Sequence, residues 1–182
     1  MNNLESLFSD RVDLQLVDCD AHYMALNPTD IEVLEIAYEA STNLGQQLSS
    51  QAVFSKLQGI SEDEYYESLE IMERGGYLER AREKAPRPPH FSLTSRGVLQ
   101  KLEEDGQFRR IQIEVEEAIV DKSVLKISEI SSTVNHPPLA VEAIVEMLEG
   151  RGDIRVRPAV DGSGEISQVS ATIKRRVKDG DY

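Results

Sequence analysis

A single cysteine, Cys19, stands among 182 residues, so no disulfide can close within one chain. Basic charge is also scarce, with 20 lysines and arginines against 33 aspartates and glutamates and a net charge of -13. That balance repels polyanions at long range. Contact with nucleic acid must therefore come from locally clustered cations, because distant exposed charges are screened. Long apolar runs are missing too: no stretch of about 18 uncharged apolar residues occurs, as a membrane-spanning helix requires. The start, MNNLESLFSD, has neither the positive region nor the apolar core of a secretory leader. These absences set the expectation of a soluble protein in a reducing, cytoplasmic compartment, with no membrane partner.

Hydrophobic residues make up 40% of the chain, enough to build cores, and the length suits one ordinary domain or two small ones. Charge is divided unevenly. Residues 1–26 carry 5 acidic and 1 basic group, 27–106 carry 15 and 8, and 107–182 carry 13 and 11. The last segment is nearly balanced.

Asn27-Pro28-Thr29-Asp30 is a helix start, with proline in the cap region and an acid near the positive end of the dipole. The pattern predicts a helix from Ile31 to about Leu44, with Ile31, Leu34 and Tyr38 on its buried face. Ser49 and Ser50 cap a short helix holding Val53 and Leu57. Ser61 opens SEDEYYESLEIMERGG, in which Tyr65, Leu69 and Met72 recur at helical spacing and Gly75-Gly76 supplies a left-handed stop. Two strands follow, joined by a proline-rich tip, and then a helix from about Ser95 to Glu104.

The order then repeats. Phe108, Ile111, Val115 and Ile119 form a helical stripe; Ile127 to Val134 make a short helix and Pro138 to Glu149 a longer one; two strands flank DGSG at Asp161 to Gly164. Leu48, Val53 and Leu57 match Leu125, Ile130 and Val134. Tyr65, Leu69 and Met72 match Val141, Val145 and Leu148, and MERGGYL answers LEGRGDI. Two copies of one small unit account for this, with Asp105-Gly106 as the joint. The division is an arm over 1–26, a first unit over 27–106 and a second over 107–182.

A helical pair, a longer helix ending in Gly-Gly-Tyr-Leu, a charged hairpin, and then Phe91-Ser92-Leu93-Thr94-Ser95-Arg96-Gly97 entering a helix resemble the winged helix-turn-helix superfamily. The closest pattern is the first domain of MarR-like regulators. The resemblance covers about residues 28–106, and 107–178 more weakly. It implies an α+β, mainly helical fold of two tandem winged-helix domains, each a three-helix core with a small antiparallel hairpin wing. It also implies that Ser61 to Arg74 is the major-groove reader and Leu78 to Leu93 the wing. Where MarR-like wings carry an Asp-x-Arg pair, the tip here is Ala85-Pro86-Arg87-Pro88-Pro89.

The charges bear on that implication. With Tyr65, Leu69 and Met72 inward, the reader's outward face is Asp63, Glu67, Glu70 and Arg74, flanked by Glu64 and Glu73, which phosphates repel. The second candidate reader carries Glu142, Glu146 and Glu149 and no Arg, Lys, Asn or Gln. Its apolar residues span an arc so wide that it must be covered on more than one side. Reading by either helix is disfavoured. The hairpins differ: Arg80, Arg82, Lys84 and Arg87 lie on the first, and Arg155, Arg157, Lys174, Arg175 and Arg176 on or beside the second, with Arg151 and Lys178 nearby. Such arginines can enter a minor groove or grip phosphates, or they can pair with the surplus carboxylates around them.

Two functions stand open. One is a non-enzymatic, transcription-regulator-like protein contacting duplex DNA through its basic wings. The other is a tandem winged-helix assembly module that contacts proteins or forms a homodimer through Leu139, Ile144 and Leu148. No nucleophile elbow, phosphate loop or HExxH motif is present, and no cofactor is implied. Asp18, Asp20 and His22 alternate around Cys19 but are too few for a metal site, and read as a solvated acidic arm. VDLQLV, Val12 to Val17, has partial strand alternation. His90 and His136 are structural, and Arg151-Gly152-Asp153 matches an adhesion tripeptide by coincidence.

Overall fold

Asn27 and Asp30 start the first helix by capping each other. Asp30 N donates to Asn27 Oδ1 and Asn27 N to Asp30 Oδ2, both at 2.9 Å. The helix they open, α1, is Pro28–Ala40 in a computed structural model that describes residues 26–81, 87–158, 164–180 and Tyr182. It stops four residues before the sequence pattern does. Ser41 is extended and its hydroxyl donates back to Ala37 O at 2.9 Å, while Thr42 N and Oγ1 both donate to Gln46 Oε1. These local side-chain bonds displace the helical ones. The buried face also turns, to Val33, Leu34 and Ala37, leaving Ile31 and Tyr38 half-buried at its borders.

Strand β1 is Leu48–Ser49, α2 is Ser50–Phe54 and α3 is Glu62–Arg74. Ser61 and Glu64 form a second reciprocal cap: Ser61 N donates to Glu64 Oε2 at 2.8 Å and Glu64 N to Ser61 Oγ at 3.3 Å. Tyr65, Leu69 and Met72 are buried, and the Tyr65 hydroxyl donates to Ser50 O at 3.0 Å. At the end of α3 the left-handed residue is Gly76, with φ +72°, while Gly75 keeps a right-handed φ of -76°.

Strands β2, Leu78–Arg80, and β3, His90–Leu93, pair antiparallel with Glu79 opposite Ser92. With β1 on the far side of β3 they make a sheet of order β1-β3-β2. Thr94 caps α4, Ser95–Glu104, and its hydroxyl also donates to Gly76 O at 2.7 Å, tying the start of α4 to the end of α3.

The second half runs through α5, Phe108–Val120; α6, Ile127–Val134; α7, Pro138–Gly150; β4, Ile154–Pro158; β5, Gly164–Val169; and α8, Ala171–Asp179. Helix α8 lies beyond the elements read from the sequence pattern. A bridge from Lys126 to Glu165, with Ile166 N donating to Leu125 O at 2.8 Å, lays a short third rung beside β5. It occupies the place that β1 holds beside β3. The element order of the first half recurs here, and the whole is α+β and mainly helical.

The two halves share one apolar core. Helix α4 packs along α7, and α1 and α5 close the sides. Leu44 N donates to Glu142 Oε2 at 2.7 Å across the seam. The joint at Asp105-Gly106 is a tight turn, with Gly106 at φ +65° and Gln107 N bonded to Leu102 O at 2.8 Å. Among the described residues no helix is long and apolar enough to cross a membrane.

Candidate nucleic-acid interface

Helix α3 turns Asp63, Glu64, Glu67, Glu70 and Arg74 to solvent, with Glu73 half-buried. The hairpin that follows leans its arginines onto this helix. Arg80, on β2, forms an ion pair with Glu73 and brings its other terminal nitrogen to 3.9 Å from Glu70. Arg87, just before β3, reaches the other end of α3, with Nη1 at 2.8 Å from Glu62 and Nη2 at 2.6 Å from Asp63. Its guanidinium also lies 5.0 Å from the centre of the Tyr66 ring. The two arginines thus bracket the helix, and a phosphate approaching either would have to displace a carboxylate. Arg82 and Lys84 lie outside the described residues, as do the arm residues Val12 to Val17, Asp18, Cys19, Asp20 and His22 and the turn Asp161 to Ser163.

The Arg87 pairs are exposed and the Arg80 pairs half-buried at the surface, so each contributes on the order of 1 kcal/mol or less. Their effect is on charge more than on stability, because the cations are neutralised while Glu64, Glu67 and Glu70 stay open to solvent. Glu64 is further held in its ionised form. The hydrogen bonds from Ser61, first the hydroxyl and then the backbone N–H, hold its pKa below the ordinary carboxylate value.

Between its ends helix α7 exposes only an acidic edge, with Glu146 and Glu149 open to solvent and Glu142 half-buried. Leu139, Ile144 and Leu148 are 1%, 0% and 0% exposed, and Val141, Ala143 and Val145 are buried beside them. The wide apolar arc is covered from within the chain, by α4 on one side and α5 and α6 on the other. A homodimer through Leu139, Ile144 and Leu148 would require opening that core. Of the acids on α7, Glu142 holds Leu44 N and Glu149 accepts from Val156 N at 2.8 Å.

The basic residues of the second half separate into two groups. Arg157 pairs across the hairpin with Glu165 at 3.0 Å. Arg176 turns inward: its Nε donates to Glu116 Oε2 at 2.9 Å, and Nη2 lies 3.5 Å from Asp153. Glu116 has no solvent exposure and also accepts from Gln112 Nε2 at 2.7 Å. By contrast Arg155, Lys174 and Arg175 are exposed and make no ion pair among the described residues, and the same holds for Arg151 and Lys178. Alternation along the sequence does not distinguish Arg155 from Arg157, since both lie on one side of β4. Glu165 makes the distinction, by lying directly opposite Arg157.

His90 is exposed at the loop end of β3, opposite Ser49 of β1. His136 joins the turn between α6 and α7 to α5, its Nε2 being 2.8 Å from Glu114 Oε2. Comparison with protein-family models, curated proteins and solved structures finds no match to the chain.

Proposed function

We propose that this chain is a non-enzymatic tandem winged-helix module for protein assembly, with units over 27–106 and 107–182, and that its first unit meets a basic protein surface, not a DNA groove. The tandem reading is supported by the recurring element order and by the third rung that both sheets carry. In a winged-helix unit α3 would be the reader and the β2–β3 hairpin the wing.

The protein-binding reading rests on one observation, the attachment of Arg80 and Arg87 to opposite ends of α3. A face that reads DNA keeps its cations free for phosphates. Here they are held by the helix they would have to cooperate with. Apart from Arg74 at its last turn, what remains exposed on α3 is acidic, and charge complementarity selects a basic partner.

The test is capture by the immobilised full chain from a nuclease-treated lysate, with Glu67→Lys/Glu70→Lys in parallel. The reading predicts that a protein is retained after nuclease treatment and lost by the charge-reversed variant. Retention that disappears with nuclease, or that is indifferent to the variant, would count against it.

A further inference from the structure

We propose that the seam between the two halves holds a binding site for a small organic cation, an ammonium group on a compact apolar body, with Glu142 as its anionic contact. The site shares no residue with the acidic face of α3, and the assembly reading neither requires it nor depends on it.

The starting observation is a cleft of about 500 Å³ where the loop after α1 meets α6, α7 and the start of β5. Neither half forms it alone. Asn43 and Leu44 come from the first half, and the serines of α6, Glu142 of α7 and Gly164 of β5 come from the second. Clefts of this size between two units of a chain are the usual seats of small molecules, mostly apolar with a few polar groups that fix orientation. Leu44, Ile127 and Pro138 supply the apolar wall.

The polar groups define the charge of the occupant. Glu142 spends Oε2 on Leu44 N, at 2.7 Å, and its Oε1 makes no bond among the described residues. A half-buried carboxylate oxygen is thus left at the wall. The Ser131 hydroxyl spends its proton on His136 O at 2.7 Å, so a ligand meets its lone pairs. Among the described residues no lysine, arginine or histidine lines the cleft, which leaves an anion without a counter-charge. Acceptors without donors call for a donating, positively charged ligand, and a charge-assisted hydrogen bond is the strong form of that contact.

Other occupants fit less well. A calcium ion takes about six to eight oxygen ligands, several of them carboxylates, and no group of three acidic, histidine or cysteine side chains stands together among the described residues. A nucleobase finds no aromatic ring in the lining on which to stack. An ammonium group that takes Oε1 leaves the bond from Leu44 N in place. The ligand then sits on the same carboxylate that ties the halves, and it stabilises the seam without opening it.

The test is isothermal titration of the full chain with phenethylamine, phenethyl alcohol and phenylacetate, which share an apolar body and differ in charge. It is run at about 150 mM salt, where attraction between distant exposed charges is screened. Phenethylamine should bind at least about tenfold more tightly than the alcohol and raise the melting temperature, and phenylacetate should not bind. Glu142→Gln keeps an acceptor for Leu44 N and should bring the amine down to the affinity of the alcohol. Ser128→Leu, which fills the cleft from an exposed position of α6, should weaken amine and alcohol alike. It gives a second reading of the site if the first variant fails to fold. Glu103→Gln, an exposed carboxylate of α4 outside the lining, should leave the affinity within about twofold. Absence of amine binding would overturn the proposal, as would equal binding of the three compounds or indifference to Glu142→Gln. Tighter binding of acetyl-lysine methylamide than of phenethylamine would assign the cleft to a lysine of a partner protein, and would overturn it too.

Discussion

The Arg176 guanidinium reaches 2.9 Å from a Glu116 carboxylate that has no contact with solvent, and with that bond α8 is fastened to α5. Ile173 and Val177 of α8 are buried with it. Removing one member of a buried pair leaves the other uncompensated, at a cost of about 3–5 kcal/mol. Arg176→Ala should therefore lower the urea midpoint strongly. Arg176→Met/Glu116→Leu should recover much of the loss, because two apolar side chains need no partner. Equal destabilisation by the single and double variants would show that packing volume, not charge, is what α8 requires.

The arginines on the first hairpin should behave in the opposite way. Arg80→Ala and Arg87→Ala break surface pairs, half-buried for Arg80 and exposed for Arg87, so each should shift stability by no more than about 1 kcal/mol in urea titration. Neutralising their holders with Glu62→Gln, Asp63→Asn, Glu70→Gln and Glu73→Gln should free both cations. Affinity for a duplex at low salt should then rise above that of the wild type, as anisotropy would register. An unchanged affinity would mean that the arginines were not restrained by charge.

Gly97 lies in the first turn of α4, where a Cβ would collide with the backbone carbonyl of Tyr77. Backbone cannot move aside as a side chain can. Gly97→Ala should cost about 1–3 kcal/mol by overpacking, a sign opposite to the usual gain from replacing a helical glycine. Chemical denaturation monitored by circular dichroism checks it.

Alkaline pH gives a fourth prediction. Burial, and after it the neighbouring Glu117 carboxylate, pushes the Tyr182 phenol up to about 12 from 10.0, and burial also pushes Tyr65 up. The native state thus favours the neutral phenols. Their contribution to stability is complete below pH 10 and declines as pH rises from there through about 12 for Tyr182, because the unfolded chain loses its protons first. Tyr182→Phe should flatten part of that decline in unfolding experiments run between those values.

The helix starts were the most legible part of the sequence. Asn27, Ser49 and Ser61 all cap helices, since a cap is a relation among three or four adjacent residues. The end of α1 was not legible. Helical periodicity continues past Ala40, and only the side-chain bonds of Ser41 and Thr42 end it. The breadth of the apolar arc on α7 signalled cover from several sides, but not that α4, about forty residues earlier, supplies part of it. The pairing of Arg80 and Arg87 was out of reach for a related reason. Both pairing and freedom fit the composition, and the choice depends on how the hairpin leans on α3.

The common core beneath α4 and α7 has a thermodynamic consequence. Because the halves bury apolar surface against each other, neither can unfold without exposing the core of the other. The chain should melt in one transition, and anything bound to one half should stabilise both by the same increment. A partner gripping the acidic helix would thereby raise the melting temperature of the basic hairpin it never touches.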